Sequence, residues 1–227
     1  MKLLFKEPKS FLVIFLCVLF IDLIFTNIDH LYKYRYATKL CVVISLMIHF
    51  FYNSSSLLKK ERVLIFLALL FSLIADAVLI TDNLTSLIVG MSLFIFAKIC
   101  YIIVYYFNAQ FDIDRLLAFL AVTLLYCLFI MYFLYDGIAK LLVPVVIYTL
   151  VSLIMTKMAY LRYKIVNNKS YYLVLMGAIL FMISETIMAF YNFYIPLPYS
   201  YTLVMLTYAF SQFFSIRGIL LQNIPKD

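Results

Sequence analysis

The chain is a succession of apolar runs, each near 20 residues long, separated by short polar clusters. A helix rises about 1.5 Å per residue, so about 20 apolar residues match the ~30 Å hydrocarbon core of a bilayer. Inside that core only helices and closed barrels satisfy every backbone N–H and C=O group. The alternation that marks a barrel strand is absent from these runs. The sequence therefore predicts an all-α membrane protein, a bundle of about eight transmembrane helices over 11–27, 37–53, 63–80, 85–107, 115–135, 139–161, 171–193 and 198–221. The connections are short, so consecutive helices are expected to pack antiparallel, as one polytopic domain over 1–227 with no linker.

Composition excludes a soluble fold. Of the residues, 67% are hydrophobic and 13% charged, where soluble domains are about half apolar and a quarter charged. With 20 Tyr and no Trp, tyrosine is expected to supply the interfacial aromatics. The net charge of +7 does not suggest nucleic acid, because Lys and Arg sit between the apolar runs and no nucleic-acid motif is present. They act instead as topology signals. One side would carry Lys2, Lys6, Lys9, Lys59, Lys60, Arg62, Arg115, Arg162, Lys164, Lys169, Arg217 and Lys226, the other only Lys33, Arg35, Lys39 and Lys140. The positive-inside rule then places both termini in the cytoplasm, and we expect a multi-pass protein of a bacterial inner membrane. The N-terminal segment begins like a signal peptide, but it lacks a small-x-small cleavage site and Asp22 interrupts its apolar run. It reads as a retained first helix.

Several reaction classes find no support. Cys17, Cys41, Cys100 and Cys127 all fall in apolar runs without CxxC spacing, and read as buried, inert thiols. With His30 in a loop and His49 in an apolar helix, no metal site is expected and no cofactor is called for. Walker A, GxGxxG, HExxH and GxSxG patterns are absent.

Charged groups within the spans carry the functional information. Each costs about 2.5–3.5 kcal/mol on insertion scales and persists when paired, hydrated or useful. Lys157 can snorkel to an interface, and Asp22 could reach one. Asp76 lies roughly 7 Å, and Glu185 roughly 12 Å, inside the same end of the bundle. Tyr148 and Tyr208 fall at similar depth, and Lys39 opens its helix from that side. Ser72 shares a face with Asp76, Gln212 and Ser211 with Tyr208, and Lys98 with Tyr101. The segments FSLIADAVL and FMISETIMA echo one another, each with a carboxylate followed one helix later by a tyrosine (Tyr101, Tyr208), as a parallel repeat of two four-helix halves would require. Such a polar layer is either a hydrogen-bond network gluing helices together or a cavity that accepts a lipid head group or performs acid–base chemistry.

In this order, Lys39, FSLIADAVLI around Asp76, Gly90 with FAKICYI, VPVVIYTLVSLIM with Pro144, Tyr148 and Met155, GAILFMISETIMAF around Glu185, and TYAFSQFF with Tyr208 and Gln212 resemble the YhhN family, the lysoplasmalogenase-like integral membrane proteins. The resemblance runs from about Lys39 to Gly218. Three positions depart from the family's usual pattern: Ala75 stands for Gly, Glu185 for Asp, and Lys98 for His.

Characterised relatives hydrolyse the vinyl ether of lysoplasmalogens, so the resemblance implies an ether hydrolase acting on a lysophospholipid-type substrate in the bilayer. Asp76 and Glu185 would be the catalytic pair, as in glycosidases, which also pass through an oxocarbenium-like state. Tyr101, Tyr148, Tyr208 and Gln212 would orient substrate or water, and Lys39 or Lys98 would contact the lipid phosphate. A proton-coupled transporter and a non-catalytic lipid-binding or scaffold protein are the competing readings.

Overall fold

A computed structural model of the protein describes residues 2–81, 83–138, 141–195 and 197–222. A short helix α1 (Lys2–Lys6) precedes eight long ones: α2 (Pro8–Asn27), α3 (Arg35–Asn53), α4 (Lys59–Val78), α5 (Leu84–Tyr106), α6 (Ile113–Leu134), α7 (Leu142–Tyr160), α8 (Asn168–Phe193) and α9 (Ser200–Leu220). Among the described residues there is no strand, and seven helices are long and apolar enough to cross a membrane. The eighth long helix, α4, carries Glu61, Arg62 and Asp76 within its 20 residues.

Each helix predicted from the apolar runs is present, and the differences lie at the ends. Pro8 stands in the first turn of α2, where its missing N–H costs nothing and its fixed φ suits a helix. A 3-10 turn over Asp29–Tyr34 joins α2 to α3. Side chains that accept from otherwise unpaired backbone N–H groups cap several starts. Asn83 accepts from Ser86 N, Asp112 from Asp114 N and Arg115 N, and Asn167 from Ser170 N. Polar residues at the ends of apolar runs thus set where the helices begin. The stretch predicted to open the sixth long helix at 139–140 lies outside the described residues.

The helices α3, α4, α5, α7, α8 and α9 pack in that order as a closed ring, with α9 returning to α3. The α8–α9 contact is the most extensive and rests on small residues. A Cβ at Gly177 would lie 2.3 Å from Ser215 Oγ and 2.8 Å from the Ser211 carbonyl oxygen, and one at Gly218 would lie 2.9 Å from Val174 N. Such close approach is how helices associate where lipid removes the hydrophobic drive. Helix α2 packs outside the ring against α3 and α9.

Consecutive helices were expected to be neighbours, yet α5, which packs on α4, turns its other side to α7, and α6 lies to one side against α8. Only Ile130 and Leu134 of α6 are buried. The rest of that helix is bulky and apolar around most of its circumference, a surface suited to lipid and poor in the small residues that close packing needs.

Two further expectations are corrected. Cys100 is buried, but Cys17 and Cys41 are exposed and Cys127 is half-buried. In a bilayer an apolar thiol is as well placed facing lipid as facing the core. Asp22, at the end of α2, does not reach an interface: it is fully buried and accepts a 2.6 Å hydrogen bond from Thr38 Oγ1 of α3.

At the end of the bundle that holds α1 and the close of α9, a second polar knot ties five segments together. Arg162 is fully buried and donates to Gln222 Oε1 at 2.8 Å and Ser170 Oγ at 3.3 Å. Glu61 accepts from Gln222 Nε2 at 2.8 Å and Asn108 Nδ2 at 3.2 Å. Burial pushes the Arg162 guanidinium down to about 10, which still leaves it charged at neutral pH.

Candidate functional site

At the opposite end, a cavity opens between α3 and α9 on one side and α6, α7 and α8 on the other. It holds about 1140 Å³ of non-atom space, counted out to its mouth. Both Asp76 and Glu185 line it, together with Arg35, Lys39, Tyr126, Tyr148, Ser152, Asn192 and Tyr208. Much of the remaining wall is apolar: Met91, Phe94, Ile130, Leu134, Val145, Phe181, Met188 and Ala189.

Asp76 sits near the C-terminal end of α4. Its Oδ1 lies 3.1 Å from Lys39 Nζ, and its Oδ2 accepts from Tyr208 OH at 2.7 Å. One carboxylate thus joins α3, α4 and α9. Glu185, on α8, accepts from Tyr148 OH at 2.6 Å through Oε1 and from Ser152 Oγ at 2.7 Å through Oε2. Lys98 of α5 is ion-paired with Glu185, donates to Ser152 Oγ at 2.6 Å, and places its Nζ 3.3 Å from the centroid of the Tyr148 ring. The second carboxylate thus joins α5, α7 and α8.

The two arrangements have the same plan with the partners exchanged. Each carboxylate is held by the helix before its own, Asp76 through Lys39 and Glu185 through Tyr148 and Ser152, and by one residue from a helix of the other half. For Asp76 the preceding helix gives the lysine and the distant one the tyrosine; for Glu185 the roles are reversed. Lys39 stands as many residues before Asp76 as Tyr148 stands before Glu185.

The eight residues singled out from sequence therefore fall in two layers. Lys39, Asp76, Tyr148, Glu185 and Tyr208 line the cavity. Lys98, Tyr101 and Gln212 stand behind its wall, buried. Tyr101 OH donates to Gln212 Oε1 at 2.6 Å, and Gln212 Nε2 donates to Ser72 Oγ at 3.1 Å, a chain that braces α4, α5 and α9 below the carboxylates. Tyr101, expected to match Tyr208 in the internal echo, is thus not a carboxylate partner; Lys98 takes that place one turn earlier. Two of the three departures from the family's usual residues, Glu185 and Lys98, touch each other.

Residues overlooked in the sequence complete the site. Ser152 follows Tyr148 by one turn on the same face of α7, so the helical period could have found it. Arg35 precedes Lys39 by one turn, and in the sequence it stands among the charges that flank an apolar run. Tyr126 of α6 shares a 2.9 Å hydrogen bond with Thr186 of α8 at the cavity wall, and nothing in an apolar run with one tyrosine distinguishes it.

An apolar sleeve formed by α6, α7 and α8 leads to two hydrogen-bonded carboxylates, and cations stand at the other side. The model of the YhhN family matches residues 34–219 of the chain. No curated protein and no solved structure matches it.

Proposed function

Since the chain belongs to the YhhN family, we propose that it is a lysoplasmalogenase-like membrane hydrolase, cleaving the vinyl ether bond of single-chain, lysoplasmalogen-type lipids. The observation that carries this reading is that Asp76 and Glu185, from helices far apart in sequence, line one cavity with an apolar sleeve beside them. With both termini in the cytoplasm, the cavity belongs to the outer half of a bacterial inner membrane, and the chain slides in from the bilayer beside α6.

A vinyl ether hydrolyses when a general acid protonates its β-carbon. The adjacent carbon and the ether oxygen then share the positive charge of an oxocarbenium ion. Water adds to that carbon and loses a proton, and the hemiacetal collapses to a fatty aldehyde and a glycerophospho-alcohol. The site must supply one proton, one anion to face the cation, and one positioned water.

Burial divides these roles between the carboxylates. Protonating Glu185 would strand the charge of Lys98, whose side chain is 0% exposed, among apolar neighbours, and an unpaired buried charge is costly. Protonating Asp76 releases Lys39, which lines the cavity with 12% of its side chain exposed and can be hydrated there. Asp76 is therefore the proton donor, and Glu185, held by Lys98, Tyr148 and Ser152, is the anion that faces the cation. Tyr208 and Tyr148 hold the two carboxylates in place. After collapse of the hemiacetal, Asp76 is reloaded from water on the Lys39 side.

Purified protein in detergent, given a lysoplasmalogen and assayed for aldehyde release, tests the reading directly. Turnover is expected in the wild type and its loss in Asp76→Asn. Activity that survives both Asp76→Asn and Glu185→Gln would end the carboxylate mechanism. Movement of intact lipid across liposomes without aldehyde would favour a transporter instead.

A further inference from the structure

The cavity has a cation that the acid–base chemistry leaves unused. Lys39 is committed to Asp76 and Lys98 to Glu185. Among the described residues these are the ion pairs of the bundle, and Arg35 is in neither. Arg35 opens α3 and lines the cavity, yet it is only 5% exposed. A charge so deeply placed normally has a carboxylate against it. Arg35 instead donates from Nη1 to the Tyr32 hydroxyl at 3.3 Å, and its buried Nε has no hydrogen-bond partner. Its guanidinium faces two rings, 5.5 Å from the centroid of Tyr32 and 5.4 Å from that of Tyr201. Asp22 and Asp76 are both within electrostatic range of it, but neither is ion-paired with it: Asp22 Oδ1 is bonded to Thr38 while its Oδ2 has no hydrogen-bond partner, and Asp76 is held by Lys39 and Tyr208.

The geometry points to Arg35 as the anchor for the phosphodiester of a single-chain phospholipid, a role neither lysine fills. The inference rests on the hydrolase reading for the position of the ether bond, but the anion site itself does not. Arg35 and Lys39 are one turn apart on the same face of α3, about 5–6 Å along the axis, and Lys39 holds the proton donor. In a glycerophospholipid, three glycerol carbons separate the ether oxygen from the phosphate oxygen, a span of the same order. A phosphate forked onto Arg35 therefore places the ether beside Asp76 and sends the chain toward the apolar sleeve. A guanidinium suits this work, because its planar fork matches two phosphate oxygens and it is weakly hydrated, hence cheaper to keep in a buried place than an ammonium.

The test separates anion recognition from catalysis. Full-length protein in detergent is titrated with a saturated single-chain alkyl ether phospholipid, which cannot be hydrolysed, and with the matching alkylglycerol, which lacks the phosphate. Wild type should prefer the phospholipid by about 10- to 100-fold, the range of a hydrogen bond to a charged group. Arg35→Gln should bring that ratio close to one, and Arg35→Lys, a fold control that keeps the charge, should retain part of it, both checked by melting temperature. The same ratio is read for turnover of the corresponding vinyl ethers. No wild-type preference, or a preference unchanged in Arg35→Gln, overturns the inference while leaving hydrolysis standing. A preference lost in Arg35→Gln without any aldehyde release supports the anion site while the hydrolase reading fails. Displacement of the phospholipid by an equal concentration of inorganic phosphate would make this a free-anion site and overturn the lipid assignment.

Discussion

The two lysine–carboxylate pairs differ in their access to water more than in their chemistry. Asp76 and Lys39 meet at the edge of the cavity, where the lysine can be hydrated when its partner gains a proton. Glu185 reaches into the cavity from a lysine sealed behind the wall. The comparison shows how a membrane protein can make two similar acids unlike: it leaves one counter-ion wet and buries the other. Desolvating both members of a pair is expensive, and removing one partner afterwards is more so. In the first pair the lysine is the more exposed member, and in the second the carboxylate.

The largest effect that can break this comparison is on catalysis. Asp76→Asn should lower aldehyde release by about 10²–10⁴-fold, the usual worth of a general acid, while the unfolding midpoint in detergent stays close to that of the wild type, because Asn still accepts from Tyr208. Glu185→Gln should lower the rate by about 10²–10³-fold and also the stability, because Lys98 loses its anion. If Asp76→Asn were the less stable protein and Glu185→Gln the more inert, the roles would be reversed.

Next in size are the lysines. Lys39→Met, which leaves Asp76 with only 2% of its side chain exposed, should cost about 3–5 kcal/mol of stability, read by denaturant unfolding, and Lys98→Met less, because Glu185 is 13% exposed and keeps Tyr148 and Ser152. Equal losses would show that the two pairs are equally sealed. A smaller coupling is expected between Lys98 and Glu185, whose departures from the family's residues are in contact. Lys98→His and Glu185→Asp should each reduce activity, and the double variant should recover part of the loss, with a coupling of about 0.5–3 kcal/mol. Strict additivity would mean that the two departures are independent. Effects of similar size are expected at the tyrosines. Tyr208→Phe and Tyr148→Phe each remove one hydrogen bond to a carboxylate, about 1.5–3 kcal/mol at most, and the loss at Tyr148 should be the lower because Ser152 and Lys98 remain on Glu185.

The sequence made the helices and their polar layer legible because a bilayer imposes both. A span must be near 20 apolar residues long, and a carboxylate within one stands out against its surroundings. Asp76, Glu185, Tyr148, Tyr208 and Lys39 were visible for that reason. Partnership was not visible. Depth along each helix is read from residue number, but rotation and neighbour order are set by packing, and here α5 skips α6 to meet α7. That one displacement brings Lys98 to Glu185 instead of leaving it opposite the next helix in the chain. The burial of Arg35 and Arg162 was hidden too, since a cation at the end of an apolar run looks the same whether it meets water or is folded inward. Cys17 and Cys41 show the reverse failure: an apolar residue on an apolar helix does not say whether it faces protein or lipid.

The loose seating of α6 has a bearing on the setting in which the protein works. Tyr126, Ile130 and Leu134 form part of the cavity wall, and Arg115 ties the other end of the helix to the Tyr160 carbonyl and the Tyr171 hydroxyl, yet most of the surface between is not buried against the bundle. A wall anchored near its ends and facing outward between them is expected to respond to the packing of whatever surrounds it, so a change of lipid saturation should alter the width of the opening beside α6 with no change to any residue.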